Sequence, residues 1–499
     1  MFASILCIGV VFYDIFAKKH LMRERKIDII KIDNLPIYHR FDGRKEIPMK
    51  NNASPETRST VFNENKIAFS FAAISDIHIG NDPNKRDERH FENALLQIKA
   101  HGVHAVLVAG DLINAGGYGG KYAQMYDYKR VYESVFDPKE TPMVHAVGNH
   151  DVKWSAESKA YSDILNGMLG EDYFLTDIDH DILSTEGNRH CVIGGYHILT
   201  LLPVTYTNVT FTEQTKTWLD KTLAQITAAD PNTYVLVFTH PMIYDTVYGS
   251  TLGREPGSAL TDMWVTSDIT DILSKYNQVV TFGGHLHFPL NDPRSIMQTE
   301  FTALGCGSVN YMAIEDGGYV NMASATTMKD KYEFSQGLIC DIDENGNMRI
   351  HRMDFYNQTT IDTPWEISYP TADGAHLKKY GKDRGYPENN AAPTLSEIET
   401  SLDEVDENGQ RIVTVEFAAA KDDTFAHHYT MEIKQVTTGE KYKSFRILSD
   451  FYRAKTPELM KKTLSHRFRV QAPNEYEIIL TAYDSWGAAS EPLPHRFKA

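Results

Sequence analysis

Five short apolar runs, each ending in a cluster of aspartate, asparagine, histidine or glycine, constrain this chain more than any other feature. Ile67–Ile74 leads into Asp76-Ile77-His78, and Ala105–Ala109 leads into Gly110-Asp111. Met143–Val147 is followed by Gly148-Asn149-His150-Asp151, and Val235–Phe238 by Thr239-His240. Val279–Phe282 ends in Gly283-Gly284-His285-Leu286-His287. Continuous apolar runs of this length, bounded by polar turn residues, read as buried strands. Tyr196–Leu202 adds another, and Asp87–Ala100 and Glu213–Ile226 carry helical spacing, with Phe91, Leu95 and Ile98 on one face of the first. Strands alternating with helices predict an α/β domain whose sheets are largely buried. In such folds functional groups are presented where strands end and loops begin.

Taken singly, each motif is an ordinary turn. Jointly they place many polar groups at the ends of buried strands, which is costly unless an ion or ligand engages them. Alternate residues of an Asp-x-His at a strand end can reach one ion, and the glycines permit close backbone approach. Carboxylate, amide and imidazole donors without thiolate suit Mn, Fe, Zn, Ni or Co, without choosing among them. The four cysteines, Cys7, Cys191, Cys306 and Cys340, are scattered and form no CxxC pair, so a zinc ribbon or a dense disulfide framework is not expected. The formal net charge of −17 lacks the basic footprint of a nucleic-acid binder, and no duplex binding is expected. A small phosphorylated substrate stays compatible, because two bound cations reverse the local sign of a pocket.

This set of motifs resembles the calcineurin-like metallophosphoesterase family, with its D-x-H, G-D, G-N-H-D/E, later His, and G-H-x-H pattern. The resemblance spans roughly residues 67–355. It implies a fold of two face-to-face β-sheets with helices outside, the αββα sandwich, and a site at the strand ends. It also implies that Asp76, His78, Asp111 and His287 hold one metal, while Asp111, Asn149, His240 and His285 hold a second. Asp111 would bridge the pair, and His150 would stand beside the metals as a catalytic residue. Asp151 would either orient His150 or pack the turn. Phosphate esters repel hydroxide; two cations about 3.5–4 Å apart bind the phosphoryl oxygens and acidify a shared, bridging water into a nucleophile. His150 would then protonate the leaving oxygen or stabilise the transition state.

Departures narrow the family. Protein Ser/Thr phosphatases carry an Asp and an Arg soon after the Gly-Asp motif, where this chain has Asn114 and Ala115. Purple acid phosphatases need a Tyr three residues after the bridging Asp, a place taken here by Asn114. The Gly110-Asp111-Leu112 run is more similar to the bacterial cyclic-nucleotide and general phosphodiesterase branch. Substrate selectors are expected on loops between motifs. Tyr118 lies in the glycine-rich Gly116–Gly120, and Tyr244, Tyr248, Arg254 and Trp264 lie in Pro241–Thr266. Arg254 is a candidate for a phosphate oxygen, and Tyr244 and Tyr118 for stacking on a ring; ordinary packing explains any one of them as well.

With 499 residues, more than one domain is expected. Residues 27–66 read as an irregular lead-in, 67–355 as the α/β domain, 356–393 as a linker and 394–499 as a small all-β sandwich. In the last, Ile412–Phe417, His428–Gln435, Ser444–Leu448, His466–Val470 and Glu475–Tyr483 look like strands. Tyr476–Pro492 resembles the final hairpin of a fibronectin type III domain, which implies a module that binds a protein or glycan or shields the catalytic domain. Asp341–Gly346 matches the opening of a calcium loop, but Arg352 stands at the twelfth position, so an Asn345-Gly346 hairpin is the better reading. Residues 1–26 open with an uncharged apolar run, Met1–Tyr13, followed by basic residues; an export signal or membrane anchor, and an extracytoplasmic or envelope location, is the expectation, with a buried N-terminal element or a cytoplasmic protein as the alternative. The expected activity is hydrolysis of a phosphodiester or phosphomonoester. A nucleotide or pyrophosphate hydrolase, and a non-catalytic adaptor on the same fold, are the alternatives.

Overall fold

In the computed structural model the described residues are 58–114, 120–151, 168, 187–204, 206, 209–251, 265–314 and 330–499. The N-terminal apolar run, Tyr118, Arg254 and Trp264 lie outside them. The apolar runs of the sequence form the strands they predict. In chain order these are β1 (Ile67–Ile74), α1 (Arg86–His101), β2 (Ala105–Ala109), α2 (Lys121–Val135), β3 (Met143–Ala146), β4 (Arg189–Ile193) and β5 (Tyr196–Leu201). Next come α3 (Glu213–Ala229), β6 (Val235–Thr239), the short pair β7 (Met242–Ile243) and β8 (Val265–Thr266), α4 (Thr270–Leu273) and β9 (Val279–Gly283). The α/β part ends with β10 (Ile296–Gln298), β11 (Thr302–Gly305), β12 (Gln336–Asp343), β13 (Met348–Asp354) and β14 (Thr359–Ile367).

Two six-stranded sheets result, in the orders β14-β13-β12-β1-β2-β3 and β10-β11-β9-β6-β5-β4. Within the first, β1, β2 and β3 are parallel; within the second, β5, β6, β9 and β11 are parallel. One face of each sheet contributes to a shared core, with Phe69, Phe71 and Leu107 from the first meeting Ile198, Phe238 and Phe282 from the second. The rings of Phe238 and Phe282 stack at 4.6 Å, and Phe71 meets Phe282 edge-on at 5.8 Å. Ala72, Ile74 and Val106 face the other way and are covered by α1 and α2. The outer face of the second sheet is covered by α3 and α4. This is the αββα sandwich, and it explains why the strands are apolar on both faces. Cys191, Cys306 and Cys340 are free thiols in the shared core.

Helix α2 is not legible from spacing. Its buried residues Met125, Tyr128, Val131, Tyr132 and Val135 keep helical intervals, but exposed Tyr122 and Tyr126 blur the face. The first sheet also continues past Phe355, because β14 pairs with β13. Only Ile361, Trp365 and Ile367 of β14 are buried, and Pro364 sits inside it, as an edge strand tolerates. The stretch expected as a linker is packed rather than loose. Tyr380 reaches the shared core, and His376 Nε2 lies 2.9 Å from the Asn277 carbonyl. Asn345 and Gly346 form the tight β12–β13 turn, with Gly346 at φ +89°.

The C-terminal part is all-β: β15 (Ile398–Val405), β16 (Gln410–Ala418), β17 (Ala426–Gln435), β18 (Lys441–Leu448), β19 (Thr463–Gln471), β20 (Glu475–Asp484) and β21 (Leu493–Lys498). Antiparallel sheets ordered β15-β16-β19 and β18-β17-β20-β21 enclose a separate core. Tyr476, Ile478, Leu480 and Ala482 of β20 point into it, as their alternation predicts. This sandwich docks on the α/β domain: Phe425 and Phe451 join the cluster that holds Tyr248 and Phe288. Tyr248 Oη lies 3.0 Å from His427 Nε2. Phe288 directly follows His287, so the docking surface backs the loop of the fifth motif.

Candidate metal centre

All five motifs leave the same edge of the sandwich, because β1, β2, β3, β6 and β9 run into them from parallel strands. The backbone there is unusual. Asp76, His78, Asp111, His285 and His287 all take positive φ, between 51° and 73°. A non-glycine residue in the left-handed region costs about 1 kcal/mol or more, and Asp and His are among the types that tolerate it. Such strain persists where the surrounding structure holds it and is concentrated at functional sites. Here the hold is a set of crossing hydrogen bonds. Asp76 N donates to the Gly110 carbonyl at 3.1 Å and His78 N to the Asp111 carbonyl at 3.0 Å. Asp87 of α1 accepts from the backbone N–H groups of Gly80 and Asn81, fixing the loop after His78.

Glycine is required at two of these turns. A Cβ on Gly148 would come within 2.7 Å of the Asp111 carboxyl carbon, and one on Gly284 within 2.7 Å of Asp76 Oδ2. The motif glycines thus let the carboxylates fit against the facing loops.

Side chains from all five motifs converge. Asp76 Oδ1 lies 3.0 Å from His287 Nε2, 3.7 Å from His78 Nε2 and 4.0 Å from His240 Nε2. Asp111 Oδ2 lies 3.2 Å from His240 Nε2 and 3.6 Å from His78 Nε2. Asn149 Oδ1 lies 3.1 Å from His240 Nε2. Two groups of mutually close donors result, Asp76–His78–His287 and Asp111–His240–His285, and His78 and Asp111 also lie together with His150. The seven residues expected as ligands therefore occupy one place.

The residues fit metal ions on three counts. His240 Nδ1 lies 2.7 Å from the Ala109 carbonyl and His287 Nδ1 3.0 Å from the Tyr311 carbonyl. A carbonyl only accepts, so each Nδ1 carries a proton and Nε2 is the end turned to the cluster, the arrangement of metal-binding imidazoles. Asp76 Oδ1 is fully buried, with the Nε2 atoms of His287, His78 and His240 as its near neighbours. Finally, the carboxylates are held ionised against burial. Burial pushes Asp76 and Asp111 upward, but His287, His78 and His240 around the first, and His240, His78 and His150 around the second, outweigh it and hold both well below their usual range. Burial pushes His240 down, yet Asp111 and Asp76 raise it to about 9.

His150 stands at the side of the cluster. Its ring meets His78 edge-on at 4.8 Å, and its backbone N donates to Asp111 Oδ1 at 2.9 Å. Its Nδ1 lies 3.0 Å from Oδ1 of Asn114, leaving Nε2 on the other side of the ring. Burial, partly offset by Asp111, lowers its pKa to about 4. Asp151 does a different job from its neighbour. Its oxygens accept from the backbone N–H groups of Leu112, Ile113 and Gly148, so it fastens the second motif to the third. Burial and the nearby Asp111 charge raise it to about 7.

Tyr244 packs against the outer cluster of the second sheet, with its backbone N on the Thr266 carbonyl at 2.8 Å. Two aromatic residues not singled out from sequence border the site. The Tyr311 ring lies 4.2 Å from that of His287, and the Tyr206 ring lies 5.9 Å from His240 and 6.3 Å from His285. Their loops follow β11 and β5, parallel neighbours of β9 and β6, so the sheet direction places them on the same edge.

Residues 69–289 match the family model described as calcineurin-like phosphoesterase. No curated protein matches the chain. Among solved structures, the purple acid phosphatase PPD1 isolated from yellow lupin (Lupinus luteus) seeds is similar at 13% identity and a TM-score of 0.41. That match covers 61% of this chain and 55% of the lupin chain, so this chain spans about half of its length. The α/β part of the chain has the metallophosphoesterase fold, and its residues 69–289, with their buried His and Asp clusters, match the calcineurin-like phosphoesterase family.

Proposed function

We propose that this protein is a dinuclear metal-dependent phosphoesterase that hydrolyses a phosphodiester or phosphomonoester of a small molecule. The observation that carries the reading is the position of Asp111 Oδ2, shared between His240 Nε2 at 3.2 Å and His78 Nε2 at 3.6 Å. A carboxylate oxygen placed between imidazoles of both clusters would serve two cations at once, which supports the reading. Asp76, His78, Asp111 and His287 would hold one cation, and Asp111, Asn149, His240 and His285 the other. When bound, the pair supplies Lewis acidity toward phosphoryl oxygens and an acidified water.

The chain's own residues do the rest. The carbonyls of Ala109 and Tyr311 fix the ring orientation of His240 and His287. Asn114 fixes His150 through Nδ1, so that Nε2 is the atom offered to the ester. An anionic phosphoryl group beside the ring favours its protonated form, from which Nε2 donates to the leaving oxygen. Tyr206 stands beside His240 and His285, and Tyr311 beside His78 and His287, so each cluster has an aromatic neighbour. The seven-stranded sandwich, with sheets of three and four strands, supports a fibronectin type III-like reading of the C-terminal part.

The test is a panel of bis-p-nitrophenyl and p-nitrophenyl phosphate, run on chelated protein and after adding Mn, Fe, Co, Ni or Zn singly. Hydrolysis that disappears on chelation and returns with metal is expected. Activity indifferent to chelation, or no hydrolysis of either ester with any metal, would overturn the proposal.

A further inference from the structure

A second group of metal-type side chains lies on the helix-covered face of the first sheet. His101 is the last residue of α1, Asp341 lies in β12 and His351 in β13. His101 Nε2 is 3.0 Å from Asp341 Oδ1 and 2.9 Å from Oδ2, and His351 Nε2 is 3.2 Å from Oδ2. Register explains the meeting. Asp341 pairs with Arg349, so His351, two residues on, lies on the same face. Asp341 also pairs with Ser70 of β1, six residues before Asp76 in the loop beyond that strand, which puts this group roughly 20 Å from the metal centre.

We propose that His101, Asp341 and His351 form a separate divalent-cation site of the zinc class, serving as a structural clamp. Four observations support it. The donor set is two imidazole nitrogens and one carboxylate oxygen, which zinc binds tetrahedrally with water in the open position. Donors about 2.0–2.1 Å from a tetrahedral ion stand roughly 3.3 Å apart. The 2.9 and 3.2 Å separations at Asp341 Oδ2 need only a small opening to reach that. The Ser70 hydroxyl donates to Asp341 Oδ1, a further hydrogen bond that orients the carboxylate, while Oδ2 is the oxygen near both imidazoles. The side chains of His101, Asp341 and His351 keep 10%, 9% and 14% of their exposure, so the group is confined yet open to an ion and its water. A bound ion would tie the C-terminal end of α1 to two strands of the β12–β13 hairpin. The other end of α1 carries Asp87, which holds the loop after His78.

The experiment compares the full chain with His351→Gln and His101→Gln after chelator stripping, reloading with Zn2+ and desalting. Glutamine keeps a hydrogen-bond donor for Asp341 but is a poor zinc ligand, so folding should be preserved, as circular dichroism would check. Elemental analysis should find one zinc equivalent fewer in either variant than in the parent chain, and a smaller rise in Tm on adding Zn2+. Turnover of p-nitrophenyl esters should stay within twofold of the parent. Equal zinc content in all three proteins would reduce the group to a hydrogen-bonded triad and overturn the proposal. The zinc difference is read independently of any activity, so failure of the phosphoesterase reading would leave it intact.

Discussion

The Nδ1 of His150 lies 3.0 Å from Oδ1 of Asn114, and Nδ2 of Asn114 lies 3.0 Å from Oδ1 of Asn81. The amide is thereby oriented with its oxygen to the imidazole, which sets the tautomer of His150. Asn114→Leu removes that oxygen while keeping the volume. A kcat loss of about 10- to 100-fold is expected, with KM and metal content unchanged. Asn114→Asp keeps the acceptor and should restore most of the rate. Equal loss in both variants would remove the orienting role.

His150→Ala should separate catalysis from metal binding. The ring contacts the clusters at their margin, so elemental analysis should find the metal content of the parent chain. Turnover should fall by about 10²–10⁴, the usual contribution of a positioned acid or base. Unchanged activity would remove His150 from the mechanism.

Asp151→Asn probes a brace rather than a catalyst. The two carboxylate oxygens accept from three backbone N–H groups, and an amide offers only one oxygen. Leaving buried donors unsatisfied costs about 1–3 kcal/mol, so Tm should drop by several degrees. A loss of kcat with Tm unchanged would contradict this assignment.

Gly148→Ala should act on metal binding without touching a ligand. The added Cβ would overlap the Asp111 carboxylate, and backbone on both sides leaves it little room to move. Elemental analysis is expected to show loss of metal, with circular dichroism unaltered. Retention of the parent metal content would show that the loop yields.

Acidification should loosen the docking of the C-terminal sandwich. Burial, then the Arg294 charge, lowers His427 to about 3; burial, then Arg446, lowers His428 to about 3. Tyr248, Asp292, Arg294, His428 and Phe451 face His427 there. Both folded values lie below the ordinary 6.5, so the unfolded chain binds more protons between about pH 6.5 and 3. Stability is full above that window and falls as pH drops through it, by up to about 1.4 kcal/mol per pH unit for each histidine. Tm measured from pH 7.5 to 4.5 should decline, and less steeply in His427→Gln. Parallel declines would assign the effect to other groups.

Much of the α/β domain was legible because its strands are buried on both faces and so read as unbroken apolar runs. The motif residues were legible for a related reason: polar clusters at the ends of such runs are conspicuous. Tyr206 and Tyr311 were not, because a loop tyrosine looks the same whether it borders a site or packs on a core. Helix α2 was hidden by its exposed tyrosines, and β14 by Pro364 and an exposed edge. Asp151 had two readings in the sequence, and only the structure brings it to the backbone N–H groups of Leu112, Ile113 and Gly148.

The sequence by itself determined which residue types end which strands, and therefore which chemistry the strand ends can support. Only the tertiary structure decided that Asp111 lies between His78 and His240, that Asn114 faces His150, and that His101 meets Asp341 and His351. Residues next to one another along the chain are fixed by covalent spacing and strand period. Residues carried by different strands and loops meet only through sheet order and register, and these are set by the packing of the whole core.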